Sequence, residues 1–411
     1  MKRRVVVTGM GAITPVGNNV EDFWGSLKEG KNGIDFIKSF DTENFKAKLA
    51  AEVKDFKPED YLDRKEARRM DRFCQFAIAA SKEAVKDSNI DLEKIDKNRF
   101  GVMIGSGIGG LKTMEDQIAV LSTKGPNRVN PLFIPMMISN MASGNTAILF
   151  GAKGTAECVA TACATGTNAV GNAFRLIRDG YEDYMLTGGA EASITPVALA
   201  GFSNLTALCT SDDKDRASIP FDKERNGFVM GEGSGVLFLE TLDSALSRGA
   251  KIYGEIVGYG STCDAYHMTA PAEGGEGAVR AIERALIDGD IKKEEVSYIN
   301  AHGTSTHYND KNETAAIKTV FGDLAYKIPV SSTKSMTGHL LGATGAIEAI
   351  ACIKALQDGF IPPTIGYKVK DEECDLDYVP NKGREKDLKY AISTSLGFGG
   401  HNAVLAFKKW E

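Results

Sequence analysis

Apolar positions along the chain fall into short continuous runs that alternate with longer amphipathic stretches. The continuous runs are typical of strands buried on both faces. Strands are predicted over residues 4–8, 100–104, 183–187 and 235–240. The amphipathic stretches repeat apolar residues at helical spacing. Helices are predicted over residues 64–88, 169–177 and 243–248. Strands that alternate with helices in this way indicate an α/β protein with mixed or parallel sheets.

The second part of the chain repeats the pattern of the first part at low similarity. The strand signal returns near Ile256, where IVGYGS echoes VTGMGA at Val7. Farther on, a segment at Val296 (VSYINAHGT) occupies the place of RFGVMIGSG, and one at Val330 (VSSTKSMTGHLLGATGA) matches the strand, turn and small-residue helix around Cys163. The end of the chain, STSLGFGGHNAVLAF, parallels the stretch from TGG to GEGSGVLFLE. The repeat predicts two similar α/β halves produced by duplication. These halves span residues 1–250 and 251–411.

Length, composition and charge are those of an ordinary globular protein with more than one domain-sized unit. The chain has 411 residues, of which 43% are hydrophobic, and its formal net charge is −6. This mild acidity argues against a protein that wraps nucleic acid. Seven cysteines without paired spacing favour a reducing compartment over a disulfide framework. No apolar run is long enough for a membrane span or a signal peptide, so a cytoplasmic location is predicted.

The stretch TAECVATACATGTNAVG places Cys163 between a short β-compatible run and an amphipathic helix. Unpaired N–H groups and the helix dipole at such a junction favour an anion, which predicts a lowered pKa and a nucleophilic thiolate. The small residues around Cys163 leave room for a bulky group on its sulfur. The alternative is a buried structural cysteine in a tightly packed helix.

Two of the five histidines, His302 and His339, lie in Gly/Ser/Thr-rich junctions between a strand and a helix. An imidazole at a helix N-terminus tends to stay neutral, and a neutral imidazole can donate an N–H group to a developing oxyanion. Packing of the two halves about a pseudo-twofold axis would bring both histidines into one pocket with Cys163. Two such donors suit the stabilisation of an enolate.

The sequence gives little support to two other interpretations of these motifs, a metal site and a dinucleotide-binding site. Clustered histidines can bind a metal ion, but the chain has no Cys-x-x-Cys pair and no His-Glu-x-x-His helix, so no metal is expected. Gly9, Gly11 and Thr14 resemble a dinucleotide fingerprint that lacks its last glycine, and no helix opens cleanly before Pro15.

Four motifs together resemble the β-ketoacyl-acyl-carrier-protein synthases. They are TACATG, NAHGTST, SSTKSMTGHLLGATGAIE and SLGFGGHN. The resemblance covers essentially the whole chain, and it is greatest to the synthase II branch of bacterial type II fatty-acid synthesis. It implies the thiolase-like fold, in which duplicated halves form a five-layer αβαβα sandwich, usually as a homodimer.

The resemblance implies a role for each residue of the predicted pocket. Cys163 would take an acyl chain from the phosphopantetheine arm of acyl-carrier protein. His302 and His339 would stabilise the enolate formed when malonyl-acyl-carrier protein loses CO2. The backbone amides of Cys163 and Phe398 would form an oxyanion hole, and Phe398 would also act as a gate. Lys334 would be an electrostatic partner near His339.

Further residues are implied to bind substrate, to form a charge network or to receive the carrier protein. The substrate-binding residues are Thr304 and Thr306 at the pantetheine arm, Thr269 at the malonyl group, and Ile108 and Phe202 in the acyl pocket. The charge network would join Asp310 and Glu348 to Lys334. The basic residues that would receive the acidic carrier protein are Lys65, Arg68 and Arg69.

The expected activity is a decarboxylating condensation that gives a 3-oxoacyl-acyl-carrier protein two carbons longer than the acyl group, with release of CO2. No cofactor is expected, because the phosphopantetheine arrives on the carrier protein, and neither nucleic acid nor membrane is an expected partner. A thiolase would need a second reactive cysteine, for which Cys352 and Cys374 are the late candidates. A catalytically silent partner subunit would lack Cys163. His307 stands where many relatives carry proline, and His401 stands where some carry threonine; neither is one of the three implied catalytic positions.

Overall fold

Strands and helices alternate along the protein, whose computed structural model describes residues 2–411. The strands are β1 (Val5–Ile13), β2 (Asp35–Phe36), β3 (Leu49–Ala51), β4 (Phe100–Gly105), β5 (Ala156–Glu157), β6 (Tyr184–Glu191), β7 (Met230–Gly231), β8 (Gly233–Thr241), β9 (Gly254–Cys263), β10 (Val296–Asn300), β11 (Val330–Ser331), β12 (Phe360–Ile361), β13 (Arg384–Glu385), β14 (Tyr390–Gly397) and β15 (His401–Lys408). The helices are α1 (Val20–Glu29), α2 (Arg64–Ala67), α3 (Arg72–Ser88), α4 (Leu111–Lys124), α5 (Phe133–Met137), α6 (Met141–Phe150), α7 (Thr165–Arg178), α8 (Pro196–Asn204), α9 (Leu242–Ser247), α10 (Glu276–Asp288), α11 (His307–Phe321), α12 (Lys334–Thr337) and α13 (Thr344–Asp358).

The main sheet is symmetrical about the antiparallel pair β1–β9. Within residues 2–411 its strands follow the order β11-β10-β14-β15-β9-β1-β8-β6-β4-β5. On each side of the centre the next two pairings are antiparallel and the outer two are parallel. β1 therefore corresponds to β9, β8 to β15, β6 to β14, β4 to β10 and β5 to β11. This is the correspondence that the sequence repeat predicts, and the boundary of the halves near residue 250 stays a prediction.

Three helical layers enclose the two half-sheets. α7 and α13 lie in the middle, in a core shared with strands of both halves. α3 and α6 cover the outer face of the half-sheet that contains β1, and α10 and α11 cover the other. Successive side chains of β8 alternate between these cores, since Leu237 and Leu239 face α7 and α13 while Val236 and Phe238 face α3. The layers form an αβαβα sandwich, which confirms the predicted fold class.

The glycines shared by VTGMGA and IVGYGS allow the outer helices to pack against the central strands. A Cβ atom on Gly11 would lie 1.9 Å from the carbonyl oxygen of Ala80 in α3. One on Gly260 would lie 2.0 Å from the carbonyl oxygen of Ala281 in α10. Close packing of the helices explains why glycine is needed at these positions. The glycines therefore give no support to a dinucleotide-binding fingerprint.

The predicted helix over residues 64–88 is divided in two. Asp71 caps α3 by accepting from the Phe73 N–H, and its other oxygen accepts from the backbone and hydroxyl of Thr113. Asp71 itself is held in an extended conformation, with a φ of −67° and a ψ of 160°, so α2 and α3 are separate. In the part of the chain that the structure describes, no helix is long and apolar enough to cross a membrane.

Candidate active site

Cys163 lies in a short 3-10 turn, Ala162–Ala164, that leads directly into α7. The preceding residue, Ala162, has a positive φ of 49°, and its counterpart in the repeat, Leu341, has a φ of 48°. The chain thus enters both central helices through the same strained turn. The cysteine stands where the second half has Gly342.

The two predicted histidines meet Cys163 at the carboxyl ends of the strands. His302 follows β10, and His339 lies between α12 and the turn that opens α13. Their ring centroids are 5.3 Å apart, and the rings are nearly perpendicular, at 86°. One donor atom from each histidine and the Cys163 sulfur all lie within 4.8 Å of one another. The structure therefore brings together three residues that are as much as 176 positions apart in sequence, from Cys163 to His339.

Hydrogen bonds hold the ring of His339 and the backbone of His302. The Nδ1 atom of His339 lies 3.0 Å from the hydroxyl of Thr344, while its buried Nε2 atom has no partner within residues 2–411. The backbone N–H of His302 donates to Glu313 at 2.7 Å, and Glu313 also accepts from the Gly303 N–H at 2.8 Å. Glu313 was not identified from the sequence. Its position on α11, three residues after Asp310, is the signal that could have identified it.

Both imidazoles are held neutral. Burial, and then the positive charge of Lys334, keep the pKa of His302 and of His339 well below the usual histidine range. Lys334 donates to Glu348 across 2.5 Å, and both side chains are 1% exposed. Burial raises the pKa of Glu348 to about 7.

The lowered pKa predicted for Cys163 is wrong, because the structure raises the pKa of this thiol. Its sulfur faces the active-site cavity, and desolvation there raises the pKa of the thiol to about 11. The Phe398 N–H and the charge of Lys334 act in the opposite direction, but their combined effect is smaller. Loss of water therefore outweighs the favourable dipoles in the direction of this pKa shift.

Asp310 does not join Lys334 and Glu348 as predicted. It accepts from the Phe221 N–H at 2.8 Å and pairs with Arg225 at 3.6 Å, and it is linked to Glu313 through Asn309, which donates to both carboxylates. Glu313 takes the place expected for Asp310, since it is the carboxylate whose charge interacts with Lys334. The two acids lie on the same helix, and sequence alone gave no reason to separate them.

A cavity of about 480 Å³ opens on the three central side chains. Both halves of the chain line it, and its lining is mainly apolar. The predicted residues that line it are Ile108, Cys163, Phe202, Thr269, His302, Thr304, Thr306, His339 and Phe398. His307 lies at the exposed mouth, whereas His401 begins β15 outside the lining. Lys65, Arg68 and Arg69 are exposed on and after α2, away from the cavity lining.

The loop between β14 and β15 closes one side of this cavity. A Cβ atom on Gly397 would lie 3.2 Å from the Cys163 nitrogen, so the loop backbone closely approaches the turn. The Phe398 N–H is directed at the Cys163 sulfur, and the Phe398 ring lies 6.5 Å from that of Phe202. The backbone amide and the apolar ring of Phe398 thus both reach the cavity.

Comparisons with known proteins agree with this geometry. The family model for the N-terminal domain of β-ketoacyl synthase matches residues 2–245, and the model for the C-terminal domain matches residues 253–368. The chain is 58% identical over its whole length to the 3-oxoacyl-[acyl-carrier-protein] synthase 2 of Synechocystis sp., with 99% of that relative covered. It is 55% identical over 409 residues to the protein of the same name from Staphylococcus aureus, covering 100% of this chain and 99% of that relative.

Solved structures give the same result. The ishigamide ketosynthase/chain length factor matches with a TM-score of 0.94 and 38% identity, and each chain is covered completely. A type II polyketide ketosynthase solved with its acyl-carrier protein matches with a TM-score of 0.93 and 38% identity, again with complete coverage of both chains. The family models cover most of the chain, and the chain therefore belongs to the β-ketoacyl synthase family.

Proposed function

We propose that this protein condenses an acyl group held on Cys163 with malonyl-acyl-carrier protein, giving 3-oxoacyl-acyl-carrier protein and CO2 in fatty-acid elongation. The observation that carries this proposal is the meeting of the Cys163 sulfur with donor atoms of His302 and His339, within 4.8 Å, in one cavity. The protein is an acyltransferase of the condensing class, as are relatives more than half identical over the full length.

The first step transfers the acyl group to Cys163. Its sulfur attacks the thioester carbonyl, a new carbon–sulfur bond forms, and the bond to the pantetheine sulfur breaks. The proton of the Cys163 thiol leaves with the pantetheine thiol, so the exchange needs no ionised cysteine at rest. The N–H groups of Cys163 and Phe398 stabilise the oxyanion formed during the attack.

The second step generates the carbon nucleophile. The two neutral imidazoles donate N–H groups to the thioester oxygen of the malonyl group as its carboxylate departs as CO2. For His339 this requires the proton on Nε2, which the Thr344 contact at Nδ1 permits. The Lys334 charge lies close enough to favour the enolate.

The third step joins the two groups. The enolate carbon attacks the acyl carbonyl on Cys163, a carbon–carbon bond forms, and the Cys163 sulfur leaves as a thiolate that takes up one proton. The acyl chain is bound to Cys163 beside the nascent enolate. The two groups are therefore already oriented and react without a bimolecular encounter.

The remaining cavity residues fit substrate roles. Ile108 and Phe202 supply an apolar wall for the acyl chain. The hydroxyls of Thr304 and Thr306 lie 2.9 Å apart near the mouth, where they can bind the amides of the pantetheine arm. Thr269 approaches from a separate exposed loop and suits the malonyl group. The arm arrives on the carrier protein, so we propose that the reaction needs no resident cofactor.

Acyl-carrier protein is the partner, and we propose that it docks on Lys65, Arg68 and Arg69. These exposed bases precede Asp71, which holds Thr113 beside the loop that lines the cavity at Ile108. An exposed basic surface at these residues would attract an acidic carrier by long-range steering.

We propose further that the protein is a cytoplasmic homodimer. β5 ends the main sheet, and both of its residues are exposed. Large exposed apolar side chains lie on the neighbouring helices α4, α5 and α6, at Ile118, Ile134 and Ile148. An unpaired sheet edge beside an apolar surface suits a twofold contact with a second copy.

The competing thiolase reaction lacks a second cysteine in the cavity. Cys352 is fully buried in α13 and Cys374 is also buried, and among residues 2–411 the cavity lining contains one cysteine, Cys163. A catalytically silent partner subunit would lack the nucleophile, whereas this chain has Cys163 in the cavity.

The test separates the two half-reactions. Cys163→Ala should form no acyl adduct by intact mass spectrometry yet keep malonyl decarboxylation, because the histidines remain. Cys263→Ala changes an exposed cysteine outside the cavity lining and is the matched control. A folded Cys163→Ala protein without decarboxylation, or one that still forms an acyl adduct, would contradict the assigned roles.

A further inference from the structure

A buried carboxylate that the reaction does not use, Glu191, lies at the end of β6 between the two halves of the chain. Its side chain is fully buried. It accepts from donors on three segments of the chain. These are the Ser106 hydroxyl at 2.8 Å, the Gly107 N–H at 2.9 Å, the Ile108 N–H at 3.2 Å, the Ser193 hydroxyl at 3.4 Å and the Gly342 N–H at 3.0 Å.

The surroundings of Glu191 are built to a close fit. A Cβ atom on Gly107 would lie 2.9 Å from a Glu191 oxygen, and one on Gly342 would lie 2.7 Å from the same oxygen. The Cβ of Gly342 would also lie 2.5 Å from the Gly107 nitrogen. Both positions therefore need glycine, and the carboxylate oxygen fills the gap between two backbones from opposite halves.

Glu191 organises the loop that carries Ile108. The amides of Gly107 and Ile108 donate to it directly, and the amide of Gly109 donates to the Ser106 hydroxyl, which itself donates to Glu191. A carboxylate that accepts several N–H and O–H bonds forms a strong buried contact, and an amide in its place turns one accepting oxygen into an NH2 donor that leaves the donors on that side unsatisfied.

The same carboxylate holds the other side of the cavity. Gly342 lies between Leu341, which lines the cavity, and Thr344, which contacts the Nδ1 atom of His339. One group thus fixes the Ile108 wall relative to the turn that supports His339.

We propose that Glu191 is a positioning residue that sets the acyl-chain selectivity of this site by fixing the Ile108 loop against the start of α13. This inference rests on the proposed condensation, because it concerns the acyl pocket of that reaction. Glu191 itself touches neither the acyl chain nor the reacting atoms.

The first test compares Glu191→Gln with Glu182→Gln. Glu182 precedes the same strand at its opposite end, is also buried, and accepts from the Thr155 N–H and hydroxyl. Each protein receives acyl-carrier thioesters of graded length. Glu191→Gln should lower kcat/KM for the longest chain that the wild type accepts by about 10-fold or more relative to the acetyl chain, because the loosened loop no longer defines the pocket wall. Glu182→Gln should keep the wild-type profile.

A charge readout separates positioning from simple loss of stability. Burial is the main cause that raises the pKa of Cys163; the Phe398 N–H, the Lys334 charge and the Cys163 N–H oppose it, and the negative charge of Glu191 adds a smaller upward contribution. His302 and His339, the other titratable groups facing the sulfur, are neutral. The rate of Cys163 alkylation, followed by peptide mass spectrometry, should therefore begin to increase at a lower pH in Glu191→Gln than in the wild type. Glu191→Asp keeps the charge but is one methylene shorter, so it should restore the alkylation profile without restoring the chain-length profile.

The outcomes distinguish this inference from the proposed function. An unacylated wild type would overturn the proposed function. An acylated wild type with an unchanged or uniformly reduced length profile in Glu191→Gln would overturn the role of Glu191 alone. If Glu191→Gln does not fold, Ser106→Ala decides the question. It removes one donor to Glu191 and should shift the length profile in the same direction to a smaller extent, and an unshifted profile would overturn the inference.

Discussion

Lys334 and Glu348 form a buried ion pair, with 2.5 Å between the lysine nitrogen and the carboxylate oxygen, and the lysine charge acts on both active-site histidines. The lysine charge adds to burial in lowering the pKa of His302 and of His339. Burial and the Lys334 charge together keep both imidazoles uncharged where the enolate would form. A cationic imidazole would instead stabilise the malonyl carboxylate before it leaves, which would oppose decarboxylation.

Removal of Lys334 should therefore change the pH dependence of malonyl decarboxylation. In Lys334→Ala the pKa of both histidines rises, so they become protonated at higher pH than in the wild type. The acid limb of the rate profile should move to higher pH, and the rate at its maximum should fall about 10-fold or more because the enolate loses a nearby cation.

The matched variant for this prediction is Glu348→Gln. It keeps the lysine charge, so the acid limb should stay in place even if the protein loses stability through the unpaired lysine. Acid limbs that move equally in both folded variants would show that Lys334 does not act through the histidines.

Alkylation of Cys163 should report a protonated thiol. Its pKa is raised to about 11, so the thiolate fraction is small at neutral pH and grows as the pH increases toward that value. Iodoacetamide modification of the Cys163 peptide should accelerate continuously from pH 7 to pH 10, by roughly tenfold per pH unit. A plateau below pH 8 would establish a resting thiolate and contradict the neutral-thiol mechanism.

Charge reversal at the basic surface should weaken carrier docking without altering the chemistry. Arg68→Glu with Arg69→Glu should raise KM for malonyl-acyl-carrier protein about 10-fold and leave turnover of a small malonyl-pantetheine thioester unchanged. Lys293→Glu is the control, because this exposed lysine lies at the amino end of β10, opposite the end that carries His302. An equal rise in KM for malonyl-acyl-carrier protein in Lys293→Glu and in the double variant would show that the carrier docks elsewhere.

A charge on the proposed dimer surface should separate the subunits. Ile148 in α6 is 78% exposed in the single chain, and Ile287 in α10 is 79% exposed on the opposite side of the fold. Ile148→Asp should shift the mass measured by sedimentation from dimer to monomer, whereas Ile287→Asp should leave a dimer. A wild-type monomer, or a dimer retained in Ile148→Asp, would contradict the proposed contact.

Local sequence patterns were sufficient to predict much of the fold and the centre of the site. Small residues around Cys163 and the Gly/Ser/Thr-rich junctions at His302 and His339 identified turns at strand ends, and the repeat indicated that they converge. These features depend on neighbouring residues or on periodicity, which a single sequence displays.

Properties that depend on distant contacts were missed. The helix predicted through residue 71 is interrupted because Asp71 binds Thr113, more than 40 positions away. The Cys163 pKa was predicted in the wrong direction because burial exceeds the effect of the nearby amides. Asp310 and Glu313 are both acids on α11, and only their partners in space distinguish a remote ion pair from the support of His302.

The proposed function depends on the coupling, in one cavity, of Cys163 acylation to decarboxylation beside the neutral imidazoles of His302 and His339. It is tested most directly by a single-turnover reaction of the purified wild type with acyl-carrier thioester and malonyl-acyl-carrier protein labelled in the free carboxyl carbon. Acyl adduct on Cys163, labelled CO2 and 3-oxoacyl product are measured together. We predict that the adduct forms first and that its loss matches the CO2 and the product one to one. Product formed without an acyl adduct on Cys163, or without release of the labelled carbon, would contradict it.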